Sequence, residues 1–272
     1  MTKPSRRPLV SLGSLDMGVV GAGTPGLFLG RFDAEAIRRE MEDAGLLAGL
    51  AARGYPEIAI RTQVVSGEHR LELRARRGRV ALLDLRLAEA SSPVQEPLAR
   101  KHGLDVLSLL MIRWLALQDP KGRFTRERPR LPGQQFPGLG LSKPVVLRLL
   151  YWARAWGKDA LVNVPQYYHN ARLYSAIFRF LSPERQGRFE ALTRDLRGLH
   201  LAQASAAVDA GRVIETPGDQ PFAWTPGEMV TPLTAPLSAY LDSSEYREAV
   251  AVIRDAIRFR LAPGSGRRGP TG

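Results

Sequence analysis

The stretch Pro132-Gly-Gln-Gln-Phe-Pro-Gly-Leu-Gly-Leu141 runs directly into Ser142-Lys-Pro-Val-Val-Leu-Arg-Leu-Leu-Tyr-Trp-Ala-Arg-Ala-Trp-Gly157. The second part reads as a helix. Val145, Leu149, Trp152 and Trp156 fall on one stripe, with Val146, Leu150 and Ala153 beside it, and Gly157 ends it. Ala160-Leu-Val-Asn-Val164 then reads as a short strand. A glycine-bearing loop at the start of a helix has a chemical use. Glycine lets the backbone approach a ligand closely, and the first amides of the helix lack partners within it. The helix dipole favours an anion at the same place. The loop is thus suited to a pyrophosphate. A tight turn entering a buried helix suits the same residues, so the loop alone leaves both readings open.

The flanking segments alternate strand and helix. Ile58, Ile60, Thr62 and Val64 share one face of a strand, Leu71, Leu73 and Ala75 of a second, and Leu83, Leu85 and Leu87 of a third. Asp84 and Arg86 lie opposite, the pattern of an antiparallel meander with one dry face. Val106 to Leu117 reads as a buried strand closed by the turn Asp119-Pro-Lys-Gly122. Before these strands, a helix is expected over about 33–53, capped by Asp33, with Ile37, Met41, Leu46, Leu47 and Leu50 inward. Pro165 opens another helix over 167–177, and Phe178-Arg-Phe-Leu181 reads as a last short strand. Two helices are expected at about 183–197 and 200–211, then a proline- and glycine-rich stretch, 214–236. A final helix follows Asp242, with Glu245 placed as in a capping box and Tyr246, Val250, Ile253, Ile257 and Leu261 on its apolar face. That face either docks on the domain's own core or forms a homodimer contact.

Composition excludes several classes. The 272 residues carry 39 Lys and Arg against 27 Asp and Glu, a net charge of +12, with 44% hydrophobic residues, which excludes a disordered chain. There is no cysteine, which removes thiol nucleophiles, disulfides and cysteine-ligated metals. Only His69, His102, His169 and His200 remain as histidine ligands, too few for a histidine-rich metal site, so no metal is expected. Five of the 39 cations are lysine. So arginine-heavy a basic surface reflects GC-rich codon use as readily as anion recognition. Residues 121–130 hold Lys121, Arg123, Arg126, Arg128 and Arg130. A single-stranded nucleic-acid groove would interleave aromatics with these cations, and only Phe124 and Phe136 are near, which argues against nucleic acid. No stretch is apolar enough for a membrane span, and Asp16 interrupts any signal-peptide core, so a cytoplasmic protein is expected.

The chain over about 57–181, and specifically over about 132–180, resembles the GNAT superfamily of N-acyltransferases. That family carries a (Gln/Arg)-x-x-Gly-x-(Gly/Ala) loop, a helix, a strand, a second helix ending in Leu-Tyr, and a Gly-Phe entering the last strand. The counterparts here are Gln135-Phe-Pro-Gly-Leu-Gly140, the helix 142–156, the strand 160–164, Asn170-Ala-Arg-Leu-Tyr174 and Ile177-Phe-Arg-Phe180. The resemblance implies an α/β fold with a mixed, largely antiparallel central sheet flanked by helices, followed by a helical C-terminal extension. It implies an acyl-coenzyme A-binding domain at 31–182, while composition and helix pattern give a glycine-rich segment at 1–30, a mainly helical extension at 183–261 and a disordered tail at 262–272. It further implies that Gln135, Gly138, Leu139, Gly140 and Leu141 bind the pyrophosphate of acetyl- or a longer acyl-coenzyme A. Asn170 would orient the pantetheine arm or cap the helix. Tyr174 would protonate the departing thiolate, a leaving group that needs a nearby acid. The acceptor would be an amine on a small molecule or a protein.

The chain departs from the family at Ile177, which stands where glycine is usual, and in the longer segment between residue 117 and the loop. Glu89, Asp119 and His169 are the candidate general bases. Asp119 also fits a turn former before Pro120, and His169 a packing role. The alternative is a catalytically silent module of the same fold, with a basic surface for a protein or polyanion partner. A second glycine motif, Gly21-Ala-Gly-Thr-Pro-Gly26, matches G-x-G-x-x-G, but no helix opens after it and no acidic residue closes a following strand. It reads as a glycine-rich lead-in.

Overall fold

The computed structural model describes residues 18–19 and 26–263. Residues 21–25 of the Gly21–Gly26 motif, and the tail from residue 264, lie outside the described residues.

A two-residue strand β1, Gly18–Val19, precedes the first helix pair. Helix α1, Ala34–Asp43, starts where the Asp33 carboxylate accepts the Ala36 amide at 2.7 Å. One continuous helix was expected to Arg53, but Gly45 breaks it. Gly45 sits at φ 71°, a left-handed conformation that costs side-chain-bearing residues energy. A second short helix, α2, Leu46–Ala51, then turns Leu46 and Leu50 into the core.

The meander forms as its period-2 pattern requires. Strands β2 (Ile58–Val65), β3 (Glu68–Ala75), β4 (Ala81–Pro93) and β5 (Val106–Leu117) pair antiparallel in order, with helix α3, Pro97–Lys101, between the last two. Leu71, Leu73, Leu83, Leu85 and Leu87 are buried on one face. On the opposite face Arg70 grips Asp84 through two bonds of 2.9 Å. Helix α4, Ser142–Ala155, crosses from β5 to β6, Ala160–Asn163, which pairs parallel with β5. Glu40 of α1 fixes α4 by accepting from Trp152 Nε1 at 2.7 Å and Arg148 at 2.9 Å. Helix α5, Tyr168–Tyr174, leads to β7, Arg179–Phe180.

Beyond Pro183 the chain is more than helical. Helices α6 (Pro183–Asp195) and α7 (Leu201–Asp209) form as expected. The proline- and glycine-rich stretch, however, carries strands β8 (Val213–Thr216), β9 (Gln220–Pro221) and β10 (Met229–Pro232). Strand β10 inserts between β6 and β7, so the main sheet runs β2-β3-β4-β5-β6-β10-β7, with β1 paired to β4. Among the described residues only the β5–β6 pair is parallel. The sheet is mixed and mostly antiparallel, in an α/β arrangement. Helices α8 (Ala235–Leu241) and α9 (Ser244–Ala256) follow. The last helix stops earlier than expected. Ile257 is extended, and alternating Arg258-Phe-Arg-Leu261 forms β11 in a second sheet ordered β11-β8-β9.

The sheet is covered on both faces. Along β5 and β6, Leu110 and Leu161 face a core with α1, α2, α4 and α5, and Leu109, Met111 and Val162 face another with α3, α8 and α9. Two buried tyrosines pin the second layer to β7. Tyr240 donates to the Leu181 carbonyl at 2.9 Å and Tyr246 to that of Phe180 at 2.6 Å.

The apolar seam of α9 is engaged inside the molecule. Tyr246 and Val250 are buried, and Ile253 packs against Gly187 of α6. A Cβ at Gly187 would lie 2.7 Å from the Val250 carbonyl oxygen and 2.8 Å from the Ile253 Cβ. Backbone and a branched carbon cannot yield, so Gly187→Ala is expected to destabilise the fold by about 1–3 kcal/mol, read by urea unfolding. An unchanged midpoint would mean that α6 and α9 are loosely packed.

Candidate functional site

The parallel pairing of β5 and β6 is short. It runs from Leu109 opposite Ala160 to Ile112 opposite Asn163 and stops. Beyond Asn163 the chain turns away through Val164 and Pro165. Strand β5 continues to Leu117, paired on its other edge with β4, and a bulge between Arg86 and Leu87 leaves Arg113 without a partner. A wedge therefore opens between β5 and β6, its edge formed by residues 113–116 of β5. A bulge of this kind re-aims a strand and ends pairing.

The loop before α4 closes the far end of this edge. Asp119 donates its amide to the Pro137 carbonyl at 2.7 Å, and Leu139 donates to Leu117 at 3.4 Å. Leu139 and Leu141 are buried, and the Leu141 side chain lies against Gly49 of α2. The carbonyls of Pro137, Gly138 and Leu139 are taken. Arg128 donates to Gly138 O at 2.6 Å and Arg53 Nε to Leu139 O at 2.7 Å. The amides are not. Those of Gly138, Gly140, Leu141, Ser142 and Lys143 donate no hydrogen bond among the described residues. Helix α4 has no side-chain cap at Leu141, so its first amides also point outward. With the acceptors covered, the loop presents donors, set among the cations Arg53, Arg128 and Lys143. A Cβ at Gly138 would meet only Leu117 O at 3.7 Å, and one at Gly140 only the Arg53 guanidinium at 3.9 Å. Both glycines face open space. Free amides at a helix start are chemically suited to an anion.

Of the other expected site residues, Gln135 is exposed and Asn170 half-buried on α5. Tyr174 is half-buried at the end of α5, its ring edge-on to Phe178 at 6.2 Å. Its hydroxyl has no hydrogen-bond partner among the described residues, and burial raises its pKa above the ordinary tyrosine value. It therefore stays protonated at neutral pH.

The three candidate bases are all engaged. Asp119 accepts from the Tyr55 hydroxyl and the Lys121 amide, which is turn building. Glu89 is buried between Arg31 and Lys158. Burial alone would raise its pKa, but hydrogen bonds from those two cations outweigh it and hold the carboxyl below the ordinary range. His169 is buried, stacked on Tyr167 at 5.3 Å and bonded through Nδ1 to Ser205 Oγ at 2.8 Å. Burial lowers its pKa to about 4. The unfolded imidazole takes a proton near pH 6.5 and the folded one does not until about pH 4. Stability should therefore fall as pH drops through that window, by roughly 2–3 kcal/mol. His169→Phe is expected to flatten this part of the urea-unfolding profile, and an unaltered profile would move the titration elsewhere.

Several contributors were not legible in the sequence. Arg53, in the turn after α2, reaches the loop across 86 residues. Asn163 closes the apolar strand β6 at the apex of the wedge, and its Nδ2 is buried without a partner. The one local signal is an amide ending an apolar run. The basic loop 118–134 is tied down across the site. Lys121 donates to Gly54 O at 2.7 Å, Arg130 to Gln134 O at 2.7 Å, and the Tyr167 ring packs on Gly133. Among the described residues no three acidic or histidine side chains cluster as metal ligands would. No described helix is long and apolar enough to cross a membrane. Comparison with protein families, with curated proteins and with solved structures returned no match.

Proposed function

We propose that the protein moves an acyl group from an acyl-coenzyme A thioester to an amine, as a divergent member of the GNAT superfamily. The observation that carries this reading is the wedge between β5 and β6 with outward-facing amides at its side. A pyrophosphate would sit on the amides of Gly138, Gly140 and Leu141, with Arg53 and Arg128 beside it. The pantetheine arm carries amide groups suited to the unpaired edge of β5. The neutral amine attacks the thioester carbon, the C–S bond breaks, Tyr174 gives its proton to the departing sulfur, and the proton shed by the attacking nitrogen returns to the tyrosinate, directly or through water. Such catalysis is mostly positioning and anion binding. A cytoplasmic location suits this substrate.

A second reading, a silent module that binds a protein or polyanion through its basic surface, is favoured by one observation. Glu89, Asp119 and His169 all have structural partners, which leaves no free base among them. Calorimetric titration with acetyl-, longer acyl- and free coenzyme A tests the first reading. Micromolar binding, with thiol release once an amine is added, is the expected result. Binding without release for any amine would favour the silent module. No binding of any coenzyme A form by folded protein would overturn the acyltransferase reading.

A further inference from the structure

A cleft of about 670 Å³ lies between the basic loop and helix α7. Its size is within the range of about 300–1,000 Å³ usual for small-molecule sites. Ala202 and Ala206, one turn apart on α7, give it a floor of methyl groups, and Pro129 and Leu261 add apolar sides. Leu261 keeps 44% of its surface exposed, so its side chain is accessible to a ligand in the cleft.

The polar groups of the cleft are all donors. His200 caps α7 with its Nδ1, which accepts the Ala202 amide at 3.3 Å. The ring is left with Nε2–H as its free group. Gln203 accepts the His200 amide on Oε1 at 3.1 Å, which leaves its NH2 free. The capping pair of α7 thus uses up both acceptors and keeps both donors. Arg126 and Arg212 complete the lining, and neither guanidinium has a hydrogen-bond or ion-pair partner among the described residues. No aspartate or glutamate lines the cleft.

We propose that this cleft binds an amphipathic carboxylate, its apolar body on Ala202, Ala206 and Leu261 and its carboxylate between Arg126 and Arg212. Guanidinium and carboxylate match as a charge-assisted pair, and the donor-only rim rejects cations. The site is separate from the amide loop at 138–143, so the proposal stands whether or not coenzyme A binds. The two sites share one loop. Arg126 lines the cleft, and Arg128 donates to Gly138 O of the amide loop.

Dodecanoate below its micelle concentration is the probe, titrated calorimetrically into the full chain. Saturable one-site binding is expected, weakened at least tenfold by Arg126→Ala with Arg212→Ala. Ala206→Trp, at an exposed position on the floor, should abolish binding with little change in melting temperature. Dodecyltrimethylammonium should not bind. The proposal is overturned if dodecanoate fails to saturate. It is equally overturned if the cationic amphiphile binds as well, or if Ala206→Trp and the double arginine variant bind like the parent. If Ala206→Trp proves unstable, the double arginine variant, which alters only exposed side chains, decides alone.

Discussion

Gly138→Glu is expected to weaken coenzyme A binding by at least a hundredfold while leaving the fold intact. The position tolerates a side chain. Gly138 is absent from the residues with positive φ, and a Cβ there meets only Leu117 O at 3.7 Å. Its carbonyl stays with Arg128 whatever the side chain. A carboxylate built on this carbon projects into the space in front of the free amides. It competes with the pyrophosphate for those amides, for Arg53 and for Arg128, and repels it. A hundredfold loss corresponds to about 2.7 kcal/mol, modest for placing like charges in one site. Gly138→Ala is the control and should bind within a few-fold of the parent. Gly140 is the poorer choice for this test. Its φ of 67° would add backbone strain of about 1–2 kcal/mol and blur a binding effect with a folding one. Retained binding in folded Gly138→Glu would place the ligand elsewhere on the molecule.

How much of this was legible follows from the range of the interactions. The meander and the strand 106–117 show in the sequence because a period-2 pattern is local and the turn Asp119-Pro-Lys-Gly122 closes it nearby. The helix from Ser142 shows for the same reason. Strand β10 does not. Met229-Val-Thr-Pro232 is four residues long, ends in proline and lies in a proline-rich stretch. Only its partners on both sides, β6 and β7, make it a strand. The break at Gly45 is hidden because Ile37 and Met41 before it and Leu46 and Leu50 after it together keep nearly helical spacing. At the site, the glycines of the loop are visible in sequence, but the cations around them are not. Arg53 belongs to a helix end whose own pattern says nothing of Leu139. The same holds for the candidate bases. Whether an acid is a base or half of an ion pair depends on side chains far along the chain, as Arg31 and Lys158 show for Glu89.

That ion pair yields the largest stability effect. Glu89→Ala is expected to destabilise the protein by about 3–5 kcal/mol, because it leaves the ammonium of Lys158, only 11% exposed, without its counter-charge. Arg31 suffers less. Its side chain is 33% exposed and its guanidinium also stacks over Trp156 at 4.4 Å. Removing both charges tells attraction from packing. A Glu89→Leu, Lys158→Met double variant exchanges the pair for apolar side chains, and it should recover most of the loss. The pH dependence gives an independent readout. The folded Glu89 pKa lies below its unfolded value, so its stabilisation is fully present above the ordinary carboxylate range. It is lost as pH falls through the depressed folded value. Glu89→Gln should therefore be less stable than the parent at neutral pH, and the difference should shrink as acid is added. A difference that stayed constant down to acid pH would mean that Glu89 is held by shape and hydrogen bonding rather than by charge. The segments carrying Arg31 and Lys158 would then be joined to β4 by packing and hydrogen bonds without a charge contribution.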